Sequence, residues 1–262
     1  MFLAIDIGNT HTVFGVYRKS KLISHWRVAS NLPVSEKELV SLNKTFFANE
    51  NIKLSSIDGV GISSVVPALT ETYTAMSKQL FNIFPLIVSA ALDLKIKIHY
   101  DNPETLGADR ICNAIAGYAK YHGPLIVIDF GTATTYDVIA TNGDFLGGVI
   151  APGIETMAVA LHQRTAKLPS IELQLPEAVI GTNTVNNIQS GILFGAVDAA
   201  AGMVKRVQKE LYKRERNNAT VIATGGFSGF VSKHTTVIQH VEPNLVLDGI
   251  RLIYDRVQKS KK

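Results

Sequence analysis

The sequence predicts an α/β protein assembled from two similar halves, and three observations carry that prediction. The first is an internal repeat. Leu3-Ala4-Ile5-Asp6-Ile7-Gly8-Asn9-Thr10 returns as Ile126-Val127-Ile128-Asp129-Phe130-Gly131-Thr132-Ala133, each an apolar run that ends in Asp-x-Gly and then small or polar side chains. The second is the segment after each copy. Thr12 to Tyr17 and Thr134 to Ala140 are β-rich, so a hairpin is expected twice, about half a chain apart. The third is a mixture of strand and helix signals in both halves.

Further strands are expected at Gly59 to Val65, Leu86 to Ser89 and Val221 to Thr224, short apolar runs bounded by turn residues. Helices are expected at Glu36 to Phe47, Leu69 to Phe81, Ala108 to Tyr121, Ile188 to Tyr212 and Leu245 to Gln258, where apolar residues recur at three-to-four spacing. No linker rich in Pro, Gly or Ser divides the halves, and the crossover is expected around Asn102.

Composition narrows the class. The chain has 262 residues, 46% of them hydrophobic, and a chain of this size can bury roughly three quarters of its unfolded surface. No apolar run approaches the ~20 residues that span a bilayer. Met1 to Asp6 shows no basic leader and meets an acid at once, so a secretory signal is not expected. The lone cysteine, Cys112, allows no intrachain disulfide, which points to a reducing, cytoplasmic setting. Net charge is +4 with a pI near 9.0. The tail Lys259-Ser260-Lys261-Lys262 supplies three of those positive charges, and the other basic residues are not interleaved with aromatics. A solvated tail is expected, with no nucleic-acid partner and no membrane.

The Asp-x-Gly turns suggest chemistry. Gly lets backbone N–H groups approach a phosphate with no Cβ in the way. Asn9, Thr10, Thr132, Thr134 and Thr135 can add side-chain hydrogen bonds. Asp6 and Asp129 would repel phosphate, so their natural task is to hold a cation that binds it. One copy alone reads as an ordinary hairpin with Asp capping its turn. Two copies resemble the superfamily of acetate kinase, sugar kinases, heat-shock chaperones and actin. That resemblance implies a duplicated actin-like (ribonuclease H-like) fold, two lobes each with a mixed five-stranded sheet flanked by helices, here 1–101 and 102–262.

Val221-Ile222-Ala223-Thr224-Gly225-Gly226 fits the same picture, because a Gly pair at a strand end offers a flat wall for a nucleotide. In that superfamily such a turn contacts adenosine. Gly-x-x-x-x-Gly-Lys-Ser/Thr and Gly-x-Gly-x-x-Gly are absent, as are Gly-x-Ser-x-Gly, His-Glu-x-x-His and Cys-x-x-Cys. P-loop, dinucleotide, hydrolase and zinc chemistry therefore lack support.

A candidate base lies in Asp101-Asn102-Pro103-Glu104-Thr105-Leu106-Gly107-Ala108-Asp109-Arg110, ahead of an apolar helix that His122-Gly123-Pro124 ends. Asp109 suits a helix start, whereas Arg110 is a cation where the dipole disfavours one. A residue that breaks a local rule points to a site. Phosphoryl transfer to an alcohol needs alignment, charge neutralisation and a proton acceptor. Asp109 can be the acceptor and Arg110 can anchor an anion.

These residues resemble the type III pantothenate kinases over nearly the whole chain. The matching motifs are Asp6-Ile7-Gly8-Asn9-Thr10, Gly107-Ala108-Asp109-Arg110, Asp129-Phe130-Gly131-Thr132-Ala133-Thr134-Thr135, Gly147-Gly148-Val149-Ile150-Ala151-Pro152-Gly153 and Gly181-Thr182-Asn183-Thr184, in that order. The resemblance implies ATP-dependent phosphorylation of pantothenate, which opens coenzyme A synthesis. It implies that Asp109 is the catalytic base and that Gly107, Ala108, Asp109, Arg110, Tyr100 and Thr184 bind pantothenate. Asp6, Ile7, Gly8, Asn9, Thr10, His11, Thr12 and Val13 would bind ATP together with Thr132, Gly225 and Gly226. Asp6 would sit near Mg²⁺, directly or through water, and Asp129 would bind a monovalent cation, K⁺ or NH₄⁺. A homodimer with the site near the subunit interface is implied as well.

Other conspicuous residues read as structural. Cys112 and Trp26 suit core packing. His99 and His122 lack metal-ligand spacing. The small-residue run Gly195 to Gly202 suits close helix packing, within the chain or between subunits. Two alternatives keep their place: a kinase of the same fold acting on a sugar or a carboxylate, and a non-catalytic nucleotide-binding regulator.

Overall fold

The computed structural model describes residues 1–30 and 35–260; Lys261 and Lys262 of the basic tail lie outside them. The chain forms two compact units, Met1–Ala116 with Asn244–Lys262, and Gly117–Pro243.

The first unit holds a five-stranded sheet in the order β3-β2-β1-β4-β5, with β1 Phe2–Ile7, β2 His11–Arg18, β3 Lys21–Ala29, β4 Gly59–Ser64 and β5 Leu86–Ile87. The first three strands are antiparallel, and β1 and β4 run parallel, as do β4 and β5. Helices α1 Glu36–Asn49 and α2 Pro67–Phe81 belong to the same unit. Ser35 and Glu38 start α1 with a reciprocal capping box. Pro67 sits in the first turn of α2, where its missing N–H costs nothing. The buried core joins Leu3, Ile5 and Ile7 of β1 with Phe14, Val60, Ile62, Tyr73 and Met76. Trp26 belongs to this core as expected, stacked between Phe14 and Phe46 with both ring centroids 5.2 Å away.

The second unit repeats the topology. β6 Leu125–Phe130, β7 Ala133–Ile139, β8 Phe145–Pro152, β9 Thr220–Gly225 and β10 His240–Val241 lie in the order β10-β9-β6-β7-β8. Read from the other edge, β6 stands for β1, β7 for β2, β8 for β3, β9 for β4 and β10 for β5. The parallel and antiparallel pairs match as well. This is the duplicated actin-like fold. Helices α4 Ile154–Arg164, α5 Thr184–Glu215 and α6 Ser228–His234 complete the unit. Its core gathers Ile126, Ile128 and Phe130 of β6 with Ile188, Ile192, Val197 and Val204 of α5. Within the small-residue run, Ala196, Val197 and Ala200 pack into this core, while Gly195 and Gly202 are exposed.

Helix α3, Ala108–Tyr121, follows the first sheet and ends where His122 and Gly123 take positive φ, at 54° and 61°. Helix α7, Leu245–Lys259, closes the described chain. The unit boundaries differ from a division at residue 101. Residues 102–116 and α7 belong to the first unit. The reason is visible in their contacts: the Tyr17 hydroxyl donates to Asp248 at 2.8 Å, and the rings of Phe2 and Tyr254 lie 4.6 Å apart. Arg256 Nη1 donates to the Leu94 carbonyl at 3.0 Å.

The elements absent from the sequence expectation are mostly edges. β3, β8 and β10 each flank a sheet on one side only, and apart from the buried Trp26 and Phe145 their residues are exposed or half-buried rather than forming an apolar run. β8 also carries Gly147, Gly148 and Pro152, which read as turn residues. Helix α4 has a single buried residue, Ile154, and so no strong periodic signal. Among the described residues, no helix is long and apolar enough to cross a membrane.

Candidate active site

In the first unit, β1 delivers Asp6 to the end of the sheet, and the turn Gly8-Asn9-Thr10 leads into β2. The Gly8 N–H donates to the His11 carbonyl at 3.0 Å, which closes the turn. Asn9 is exposed and Gly8, Thr10 and His11 are half-buried, so this stretch can meet a ligand. Ile7 and Thr12 differ. Both are fully buried, and Thr12 Oγ1 bonds Ser30 Oγ at 2.8 Å. Only their backbone could face a phosphate.

The same unit holds the candidate base. Asp109 lies in the first turn of α3, and the Arg110 N–H donates to its Oδ1 at 2.8 Å. Burial pushes the Asp109 carboxyl above the usual carboxylate range, and the contacts with Arg110 offset part of that rise. A raised value brings a carboxylate closer to the range where proton acceptance is efficient. Gly107 makes the arrangement possible: a Cβ at that residue would lie 2.5 Å from Asp109 Oδ1. The glycine of the Gly-Ala-Asp-Arg motif therefore has a steric cause.

Arg110 is 6% exposed. Its Nη1 donates to the Tyr100 hydroxyl at 3.1 Å, and its guanidinium carbon lies 6.0 Å from that ring's centroid. The structure thus brings Tyr100, Asp109 and Arg110 together, three of the residues expected to hold the acceptor. Ala108 is buried, so its side chain offers little contact surface.

Cys112 lies one turn beyond Asp109 and is fully buried. Burial pushes its thiol well above the ordinary value, and the charges of Asp6 and then Asp109 add to the effect. Asp6 and Asp109 are therefore within electrostatic reach of one thiol. Among the described residues, no cluster of three or more His, Cys, Asp or Glu is placed to hold a metal ion. A divalent cation at Asp6 would take one carboxylate from this unit and the rest of its ligands from phosphate and water. That donor set fits Mg²⁺.

In the second unit, the turn after β6 is shorter. Gly131 and Thr132 alone separate β6 from β7, and the Gly131 N–H donates to the Ala133 carbonyl at 3.1 Å. Gly131 and Thr132 are exposed. The Thr132 carbonyl accepts from the Gly153 N–H at 3.0 Å and from Thr156 Oγ1 at 2.6 Å. Neither Gly153 nor Thr156 drew a role from sequence, although Gly153 closes a quoted motif. No local signal in the sequence ties residue 156 to residue 132.

Gly225 takes φ +86°, and a Cβ there would lie 2.6 Å from both Asp129 Oδ1 and the Phe130 carbonyl oxygen. Asp129 Oδ1 and the Phe130 carbonyl group thus lie close beside the Cα of Gly225, where only a residue without Cβ fits. Gly226 has nothing within 4 Å of its Cβ position, which leaves the expected wall open. Thr184 begins α5, where the Asn183 side chain accepts from the Asn186 N–H at 2.9 Å as the cap. Thr184 lines a groove of about 850 Å³ between α4 and α5, together with Pro152, Thr156, Met157, Leu161 and Ile188.

The family model for type III pantothenate kinases matches residues 2–206. A type III pantothenate kinase from Exiguobacterium sp. is 46% identical over 259 residues, which cover 99% of this chain and all of that protein. Another, from Koribacter versatilis, is 41% identical over 272 aligned positions, covering 100% of this chain and 98% of that protein. Among solved structures, the activator of the 2-hydroxyisocaproyl-CoA dehydratase from Clostridium difficile with bound ADPNP aligns with a TM-score of 0.53 at 13% identity, covering 99% of this chain and 96% of its own. That last likeness speaks for the fold alone. With the base motif, the paired turns and two full-length relatives above 40% identity in agreement, the chain belongs to the type III pantothenate kinase family.

Proposed function

We propose that this protein transfers the terminal phosphoryl group of ATP to the hydroxyl of pantothenate, giving 4'-phosphopantothenate at the start of coenzyme A synthesis. The observation that carries the reading is the cluster at the start of α3. Asp109 sits there with its carboxyl raised by burial, beside a buried Arg110 that is bonded to Tyr100.

Asp109 accepts the proton of the attacking hydroxyl, the one chemical task that phosphoryl transfer leaves to a side chain. Arg110 pairs with the pantothenate carboxylate, and Tyr100 holds the guanidinium in place. Thr184 contacts the same substrate. Asp6 to Val13 receive the ATP phosphates at the Gly8-Asn9-Thr10 turn, Thr132 adds a contact from the second turn, and Gly225 and Gly226 form the adenosine wall. Asp6 holds Mg²⁺ and Asp129 holds K⁺ or NH₄⁺; these ions supply charge neutralisation to the phosphates.

A cytoplasmic homodimer completes the proposal. The dimer is supported by the largely apolar groove between α4 and α5, which the exposed Leu161 helps to line. A coupled ATP assay with pantothenate, Mg²⁺ and K⁺ tests the activity. Turnover that requires pantothenate is expected, and a folded sample without it would sink the reading. Sedimentation at micromolar concentration tests the dimer.

A further inference from the structure

Ser63 lies at the end of β4 directly beside Asp6, its Cα partner in the parallel pairing with β1. It is 0% exposed, and its Oγ donates to Asp6 Oδ1 at 2.9 Å. A serine hydroxyl has one proton to give, and the charged Asp6 carboxylate takes it.

We propose that Ser63 is a positioning residue for the kinase reaction: it fixes the Asp6 carboxylate in the orientation that meets the phosphate-bound divalent cation. This rests on the reading of Asp6 as the Mg²⁺ residue. Ser63 touches neither substrate nor the reacting atoms; its effect passes through Asp6. Supporting groups of this kind commonly set cation affinity by about 10- to 100-fold.

The test compares Ser63→Ala and Ser63→Thr with the unaltered protein in two measurements: the Mg²⁺ concentration for half-maximal phosphorylation, and the calorimetric affinity for ADP with and without Mg²⁺. Ser63→Ala is expected to need about tenfold more Mg²⁺, to lose the Mg²⁺-dependent gain in ADP affinity, and to bind metal-free ADP as before. Ser63→Thr, which keeps the hydroxyl, restores both. Unchanged Mg²⁺ dependence in Ser63→Ala overturns the proposal. So does a parallel loss of metal-free ADP binding, which would mean that the hydroxyl supports the turn as a whole. If Ser63→Ala does not melt cooperatively, Ser63→Cys takes its place: its weaker donor should give an intermediate Mg²⁺ response, and a response equal to that of the unaltered protein refutes the idea. If pantothenate is not phosphorylated at all, the function fails, while the ADP calorimetry still decides the role of Ser63.

Discussion

The turn after Asp6 and the turn after Asp129 descend from the same strand order, yet their surroundings differ. In the first unit, Asp6 pairs with Ser63 and Ile7 with Ser64 on the parallel neighbour; in the second, Asp129 pairs with Thr224 and Phe130 with Gly225. A hydroxyl-bearing residue stands beside each aspartate. One step further along, the first unit has a serine and the second a glycine with positive φ. The turn lengths differ as well, with Gly8-Asn9-Thr10 against Gly131-Thr132. Equal topology therefore leaves unequal sites. The Asp6 carboxylate accepts from the Ser63 hydroxyl, whereas Asp129 Oδ1 lies close beside the Cα of Gly225. The proposed division of cations, divalent at the first turn and monovalent at the second, turns on this difference.

The largest expected effect concerns the proposed base, Asp109, in the first unit. Asp109→Asn should keep ATP binding and lose ~10²-fold or more in turnover. In the unaltered protein the rate should fall as pH drops through the Asp109 pKa, which lies above the ordinary carboxylate range. The residual rate of the Asn variant should lose that acidic limb, and near-normal turnover would remove Asp109 from the role.

Next comes a paired test of the cation assignment. Asp6→Asn should raise the Mg²⁺ requirement by about tenfold or more and leave the K⁺ requirement alone; Asp129→Asn should do the reverse. Activity titrations with each cation read the result. If both variants shift the same cation, the division of labour between the turns is wrong.

Gly225→Ser copies the residue type of the first unit into the second. The new side chain would meet Asp129 Oδ1 and the Phe130 carbonyl, in a backbone conformation that costs about 1–3 kcal/mol for residues with a side chain. A fall in melting temperature of roughly 3–10 °C is expected, with a weakened response to K⁺. A melting curve and K⁺ response matching those of the unaltered protein would show that the glycine is dispensable.

The smallest effect is a stability difference. The folded-state pKa of Asp109 is raised, so ionising it costs folding free energy. That cost is absent below the unfolded carboxylate pKa, where both states are protonated. It grows as pH rises and is complete above the folded pKa. Asp109→Asn should therefore melt higher than the unaltered protein at neutral pH, and the gap should close in acid. A gap that widens on acidification would reverse the sign of the inferred shift.

Much of the molecule is legible in the sequence, because its central strands are buried on both faces and read as continuous apolar runs: Leu3 to Ile5, Leu125 to Ile128 and Val221 to Ala223. The Asp-x-Gly repeat, the helix that starts at Ala108 and the Gly pair at 225–226 are equally visible, as local signals that a turn or cap demands. The edge strands β3, β8 and β10 are hidden, since half-solvated residues carry no burial pattern. What the sequence alone determined is the order of motifs, the duplicated topology and the family. Tertiary structure alone decided that α7 joins the first unit, that Thr12 turns into the core, that Thr156 holds the Thr132 carbonyl and that Ser63 holds Asp6. Each of these pairs residues far apart in the chain, 57 positions in the case of Ser63 and Asp6. Local propensity and periodicity are silent over such spans, and only the register between strands and the packing of helices fixes which side chains meet.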